Sequence, residues 1–230
     1  MVSAIKLGVK SSHGIASGWN HTHGGRMNLD FTALSPRDAY NWMADAITPR
    51  PIAWVSTISA DGKTNLAPFS FFNGITGNPP TLMFSAVTNR AGEKKDTVRN
   101  IEATREFVVN LVPYALAEQM NACASLLPYG ESEFEAFGIE SAVATKVRAL
   151  RVAGAPVAFE CVLDKIVPVG EGPGSASVVF GRIVAAYVAD AVIGTDGDIS
   201  PEKLDTIGRL GGNDYVTTRD RFQIQRPDRR

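Results

Sequence analysis

Nine residues, Asn89-Arg90-Ala91-Gly92-Glu93-Lys94-Lys95-Asp96-Thr97, place three cations, an amide and a hydroxyl at the start of a helix-forming run. A helix N-terminus presents N–H groups without intrahelical partners and a positive potential, so it takes phosphate readily. Arg90 could fork onto phosphate oxygens, Lys95 could add a point charge and Thr97 a hydroxyl. The same residues equally suit a solvated helix start, capped by Asp96 or Thr97 and carrying surface lysines. A second grouping lies in an upstream hairpin. Arg50 stands between Pro49 and Pro51, whose rings stiffen the backbone. Ser56 and Thr57 end the following strand in hydroxyls, and Asn65, Ala67, Pro68, Phe69 and Ser70 form a small, polar strip beside Phe71 and Phe72. A flat heteroaromatic ligand needs backbone donors and acceptors along its polar edge and apolar surface against its rings. Pro68 would interrupt the strand ladder and leave nearby backbone groups for such an edge. A proline guarding an exposed edge strand is the competing explanation.

Other chemistries have few residues to draw on. The three histidines, His13, His21 and His23, all precede Met27, so a histidine base, triad or metal site in the body of the chain is excluded. His21-Thr22-His23 alone is a weak metal signal. The two cysteines, Cys123 and Cys161, lack zinc or redox spacing and read as small core residues, in keeping with a reducing cytoplasm. Residues 170–174 approach a dinucleotide-binding fingerprint, but strands flank them on both sides and the last glycine is missing, so they read as a hairpin turn. With no protein acid or base in view, the chemistry is expected to belong to a bound cofactor.

The chain of 230 residues is 44% hydrophobic and 20% charged, which is globular, and its net charge of −1 gives no global field for nucleic acid or an anionic membrane. No apolar run approaches the roughly 20 residues of a membrane-spanning helix. Residues 1–27 are rich in Gly, Ser and His, carry no acid and have no secretory apolar core, so they read as a tail, with Met27 a candidate start. Residues 28–230 read as one domain. Ser35-Pro36-Arg37-Asp38 opens a helix with Tyr40, Met43 and Ile47 near one face, ending at Thr48-Pro49. Strands are expected at 52–59, 64–72, 81–85, 106–112, 157–169 and 177–193, with helices at 96–104 and 114–127 and a short one from Ser200-Pro201. Trp54 reads as a core aromatic, and residues 128–156 as an ambiguous stretch containing a mobile loop or lid. The strand-rich order with peripheral helices points to a mainly β barrel.

Several blocks together carry a family resemblance. Pro49-Arg50-Pro51-Ile52-Ala53-Trp54-Val55-Ser56-Thr57, Asn65-Leu66-Ala67-Pro68-Phe69-Ser70-Phe71-Phe72, Pro79-Pro80, Lys95-Asp96-Thr97, Phe107-Val108-Val109-Asn110 and Arg209-Leu210-Gly211-Gly212-Asn213-Asp214-Tyr215 resemble, in order, the flavin reductase-like, FMN-binding split-barrel family. The resemblance implies a six-stranded, Greek-key-like split β-barrel with peripheral helices, and a homodimer with FMN near the subunit interface. FAD is the alternative flavin and NAD(P)H the co-substrate. Members include NAD(P)H:flavin reductases that supply partner monooxygenases, and flavoredoxin-like electron carriers. By the same resemblance Arg50, Ser56 and Thr57 would lie along the ribityl and phosphate side. Asn65, Ala67, Pro68, Phe69 and Ser70 would face the ring. Ser85, Arg90, Lys95 and Thr97 would complete the phosphate site. Neither nucleic acid nor a membrane is expected as a partner, and a non-catalytic flavin carrier or a split barrel for pyridoxal phosphate are the rival readings.

Overall fold

The computed structural model describes residues 20–22, 26–89 and 91–227; Arg90, His13, His23 and most of the 1–27 tail lie outside them. The chain divides into two units between Tyr40 and Asn41. In the first, Asn20–Thr22 pairs antiparallel with Arg26–Asn28. Helix α1 (Pro36–Ala46) starts as a reciprocal cap: the Asp38 N–H donates to Ser35 Oγ at 3.1 Å, and Ser35 Oγ donates to the Asp38 carboxylate at 2.7 Å. Among the described residues no helix is long and apolar enough to cross a membrane.

The second unit is organised by one sheet of seven antiparallel strands. These are β1 (Ala53–Ile58), β2 (Thr64–Phe69), β3 (Phe72–Gly77), β4 (Pro80–Val87), β5 (Glu106–Leu111), β6 (Val157–Val169) and β7 (Ala176–Val188). Their order across the sheet is β2-β1-β5-β6-β7-β4-β3. The chain passes from β2 at one edge of the sheet to β3 at the other, and the Ser85 N–H of β4 donates to Phe71 O at 2.9 Å, extending the β3–β4 pairing back toward β2. The expected second strand over 64–72 is therefore two strands. The chain leaves one edge of the sheet at Phe69 and joins the other at Phe72, which adds a seventh strand to the six anticipated.

Strand alternation sorts the side chains into two layers. Ala53 and Val55 of β1, Phe107 and Val109 of β5, Phe84 of β4 and Val179 of β7 fill the barrel, sealed at one end by Val98 and Ile101 of α2 (Asp96–Thr104). Phe84 stacks near Phe69 at 4.9 Å and meets Phe107 edge-on at 5.7 Å. The alternate residues Trp54 and Leu66 face outward into a second cluster with Met120, Cys123 and Phe134. Trp54 is thus a core residue, as is each cysteine. The helix expected at 114–127 is shorter: a turn of 3-10 helix at Tyr114–Leu116 leads into α3 (Ala117–Ala122) and ends there. The 128–156 stretch is no free lid at its centre, because Glu133 and Phe134 of α4 (Glu133–Ala136) are buried. Met43 of α1 and Ile47 just after its end are exposed.

Two interior positions test this packing. Gly181 of β7 lies against the barrel aromatics; a Cβ there would sit 2.3 Å from Phe107 Cζ and 3.2 Å from Cys161 Cβ. Gly181→Ala is expected to destabilise the protein by about 1–3 kcal/mol through overpacking, measured by urea unfolding. Glu160 of β6 is buried, and its carboxylate accepts the Thr145 N–H and hydroxyl, each at 2.9 Å, and the Lys146 N–H. Burial pushes its pKa up, but these donors outweigh that and hold it below the usual carboxylate range. A lowered folded pKa contributes stability that is present above the unfolded value of about 4.3 and is lost as pH falls through the folded value. Glu160→Gln should cost about 2 kcal/mol at pH 7, the scale of hydrogen bonds to a charged group. The gap from the parent protein should close as the pH falls below about 4.

Candidate active site

Helix α2 begins in an unusual way. Lys95 occupies the N-cap position with an extended backbone (φ −61°, ψ 149°), and no side chain caps the first turn. Neither Asp96 nor Thr97 takes the capping role expected of it. Thr97 is buried and its hydroxyl instead accepts from Asn65 Nδ2 at 3.0 Å. One turn on, Asn100 Nδ2 donates to Thr57 Oγ1 at 3.0 Å. Two side-chain hydrogen bonds therefore fasten α2 across the β1–β2 hairpin, and its N-terminal dipole is left for an outside anion.

That helix start is one wall of a cleft of about 200 Å³. Asn65, Ala67, Pro68 and Phe69 of β2 form a second wall, and residues 123–127, beyond the end of α3, form a third with Glu133. Strand β2 ends the sheet, so one of its sides has no neighbouring strand. The Leu66 N–H points to that side and donates to Glu133 Oε2 at 2.7 Å. Pro68, two residues on, faces the same way, where its missing N–H removes no ladder bond. Edge protection and a ligand-facing strip are thus the same feature. Burial raises the Glu133 pKa, with the Leu66 N–H opposing it. Burial likewise pushes the Cys123 thiol up to about 12, which leaves it a neutral wall.

Of the residues anticipated from sequence, Asn65, Ala67, Pro68, Phe69, Lys95 and Thr97 come together here. The others point elsewhere. Arg50 is buried: its Nε donates to Ser70 Oγ at 3.3 Å, NH1 to Ala44 O and, at 2.6 Å, Ile47 O, and NH2 to Leu210 O at 2.9 Å. It satisfies the last carbonyls of α1 and holds the 210–214 loop. That loop packs so closely that a Cβ on Gly211 would fall 1.9 Å from Asp45 Oδ1. Ser56 donates to Leu150 O in the outer layer, whereas Thr57 lies under α2. Ser85 lends its backbone to the pairing of β4 with the start of β3. Arg90 lies outside the described residues. Sequence reasoning missed Asp96, residues 123–127 and Glu133. The expected continuation of the helix to Leu127 hid the first segment, and Glu133 sat in a polar run whose one signal was the apolar Phe134 beside it.

The site suits a flavin mononucleotide. An uncapped helix start with Lys95 beside it matches a phosphate. The strip around Pro68 offers apolar surface and outward backbone groups to a planar ring.

The comparisons agree with that fit. The flavin reductase like domain matches residues 44–198 of the chain. An uncharacterized protein of Aquifex aeolicus is 41% identical over 177 residues, covering 77% of this chain and 88% of that one. The crystal structure of nitrilotriacetate monooxygenase component B from Bacillus cereus superposes with a TM-score of 0.82 at 32% identity, covering 87% of this chain and all of that one. That of Pseudomonas fluorescens 2-nitrobenzoate 2-nitroreductase NbaA gives 0.79 at 33% identity, covering 87% and 96%. The chain belongs to the flavin reductase-like family, and its seven-stranded sheet is that family's split barrel.

Proposed function

We propose that this protein is an FMN-dependent oxidoreductase that passes electrons from NAD(P)H to free flavin, a partner monooxygenase or another acceptor. Flavin oxidoreduction is the function that family membership carries. The observation supporting FMN at this place is the uncapped start of α2, with Lys95 at its cap, opening onto the same cleft as the 65–69 strip. Bound FMN would supply a ring that accepts hydride from the nicotinamide and releases electrons to the acceptor. Lys95 and the first turn of α2 would hold the phosphate, and Thr97 would stay fixed by Asn65. Ala67, Pro68 and Phe69 would orient the ring and limit water at its face. Hydride delivery asks for no protein acid, in keeping with a domain that holds no histidine beyond Met27. Two copies of the chain would complete the site, because Met43 of α1, Ile47 just after it and Ile75 on edge strand β3 are apolar and exposed.

The decisive measurement is the absorbance of purified protein with FMN, together with NADH and NADPH oxidation. A flavin spectrum with nicotinamide turnover is expected; neither would end the proposal. A flavin spectrum reducible by light but not by nicotinamide would favour the electron-carrier reading. Lys95→Ala should weaken FMN binding by about 1–3 kcal/mol, the range of charge-assisted hydrogen bonds, in a flavin fluorescence titration. Unchanged affinity would remove the helix start from the phosphate site.

A further inference from the structure

Among the described residues Glu133 is the one buried carboxylate that borders the cleft. Its Oε2 receives the Leu66 N–H at 2.7 Å, and the neighbouring Ser132 hydroxyl lies 2.7 Å from Thr64 Oγ1. The two contacts pin the outer edge of β2 from its first residues. Among the described residues no cation pairs with Glu133. The ionisable groups around it come from each packed element. Asp96, which opposes ionisation of Glu133, and Lys95 stand at the start of α2; Cys123 follows α3 and stays a thiol. Lys63, Glu131 and Glu135 line a separate groove with Ser132. A buried carboxyl with an acidic neighbour and no cation among the described residues resists ionisation, and once ionised it adds a negative charge to a space suited to an anion.

We propose that Glu133 is a positioning residue whose charge state sets how strongly the cleft takes an anionic ligand, while its contact to Leu66 fixes the 65–69 strip. The proposal rests on reading the cleft as the flavin phosphate site. Burial and the Asp96 carboxylate favour its protonated form, and loss of that proton as pH rises weakens anion binding; the raised folded pKa has this sign.

The variant E133Q keeps an acceptor for the Leu66 N–H and cannot ionise. FMN dissociation constants are measured by flavin fluorescence from pH 5 to pH 8 on both proteins, so that titration of the FMN phosphate itself cancels in their ratio. Relative to E133Q the parent should bind progressively more weakly as the pH rises, by on the order of tenfold at pH 8. A ratio that does not change with pH, including a uniform loss in E133Q, overturns the proposal. If neither protein binds FMN at any pH, the flavin reading itself falls, which is a different result. Should E133Q not fold, the parent protein decides with sulfate as competitor, since sulfate keeps its charge over this range. Sulfate should compete less well as pH rises, and a constant inhibition constant overturns the proposal.

Discussion

A sheet has to end somewhere, and the free edge of β2 is the constraint around which the site is arranged. An unpaired strand edge presents backbone donors and acceptors that must be satisfied or shielded. Here the Pro68 ring removes one donor and Glu133 receives another from Leu66. Neither device covers the edge with a further strand, so space remains beside it. Helix α2 borders that space because Asn65 and Asn100 tie it to the β1–β2 hairpin through Thr97 and Thr57. The cleft follows from sending the chain from β2 to the opposite edge of the sheet at β3, which leaves the outer side of β2 uncovered by strand.

Two buried glutamates show how local donors decide charge. Glu160 and Glu133 are each almost wholly removed from solvent. Burial alone would raise both pKa values. Glu160 gathers two backbone N–H groups and a hydroxyl from residues 145–146, and the balance falls below the usual carboxylate range. Glu133 has a single strand N–H and an acidic neighbour in Asp96, and the balance falls above it. The first arrangement anchors a loop with a carboxylate whose ionised form is favoured. The second keeps a carboxyl that can change charge beside a cleft.

Much of the fold was legible because it was written in local signals. The Ser35 cap, the turn at residues 170–174 and the β-branched runs of β1 and β6 all appear where patterning places them. Misreadings came where tertiary context decides. Nothing in residues 64–77 marks the point at which the chain leaves one end of a sheet for the other. Leu116, Met120, Cys123 and Leu127 have helical spacing, yet α3 stops at Ala122 and the residues after Cys123 turn into the cleft wall.

The site was legible only in part, for a reason internal to strands. Adjacent residues of a strand face opposite sides, so Ser56 and Thr57 cannot both reach one ligand through their side chains. In the structure Ser56 binds Leu150 O in the outer layer and Thr57 binds Asn100 under α2. Arg50 shows a second limit. Its stiff, proline-flanked backbone suits a ligand clamp, but the same stiffness suits a clamp on the protein itself. The carbonyls of Ala44, Ile47 and Leu210 all receive its guanidinium. Those acceptors come from a helix end and from a loop some 160 positions away in the chain. A motif names residues that have to be held in place. Only the arrangement in space separates those that would touch the cofactor from those that build the wall behind it. Under the proposed function the 65–69 strip and the start of α2 would belong to the first group, and Arg50 and Ser56, held by protein carbonyls, to the second.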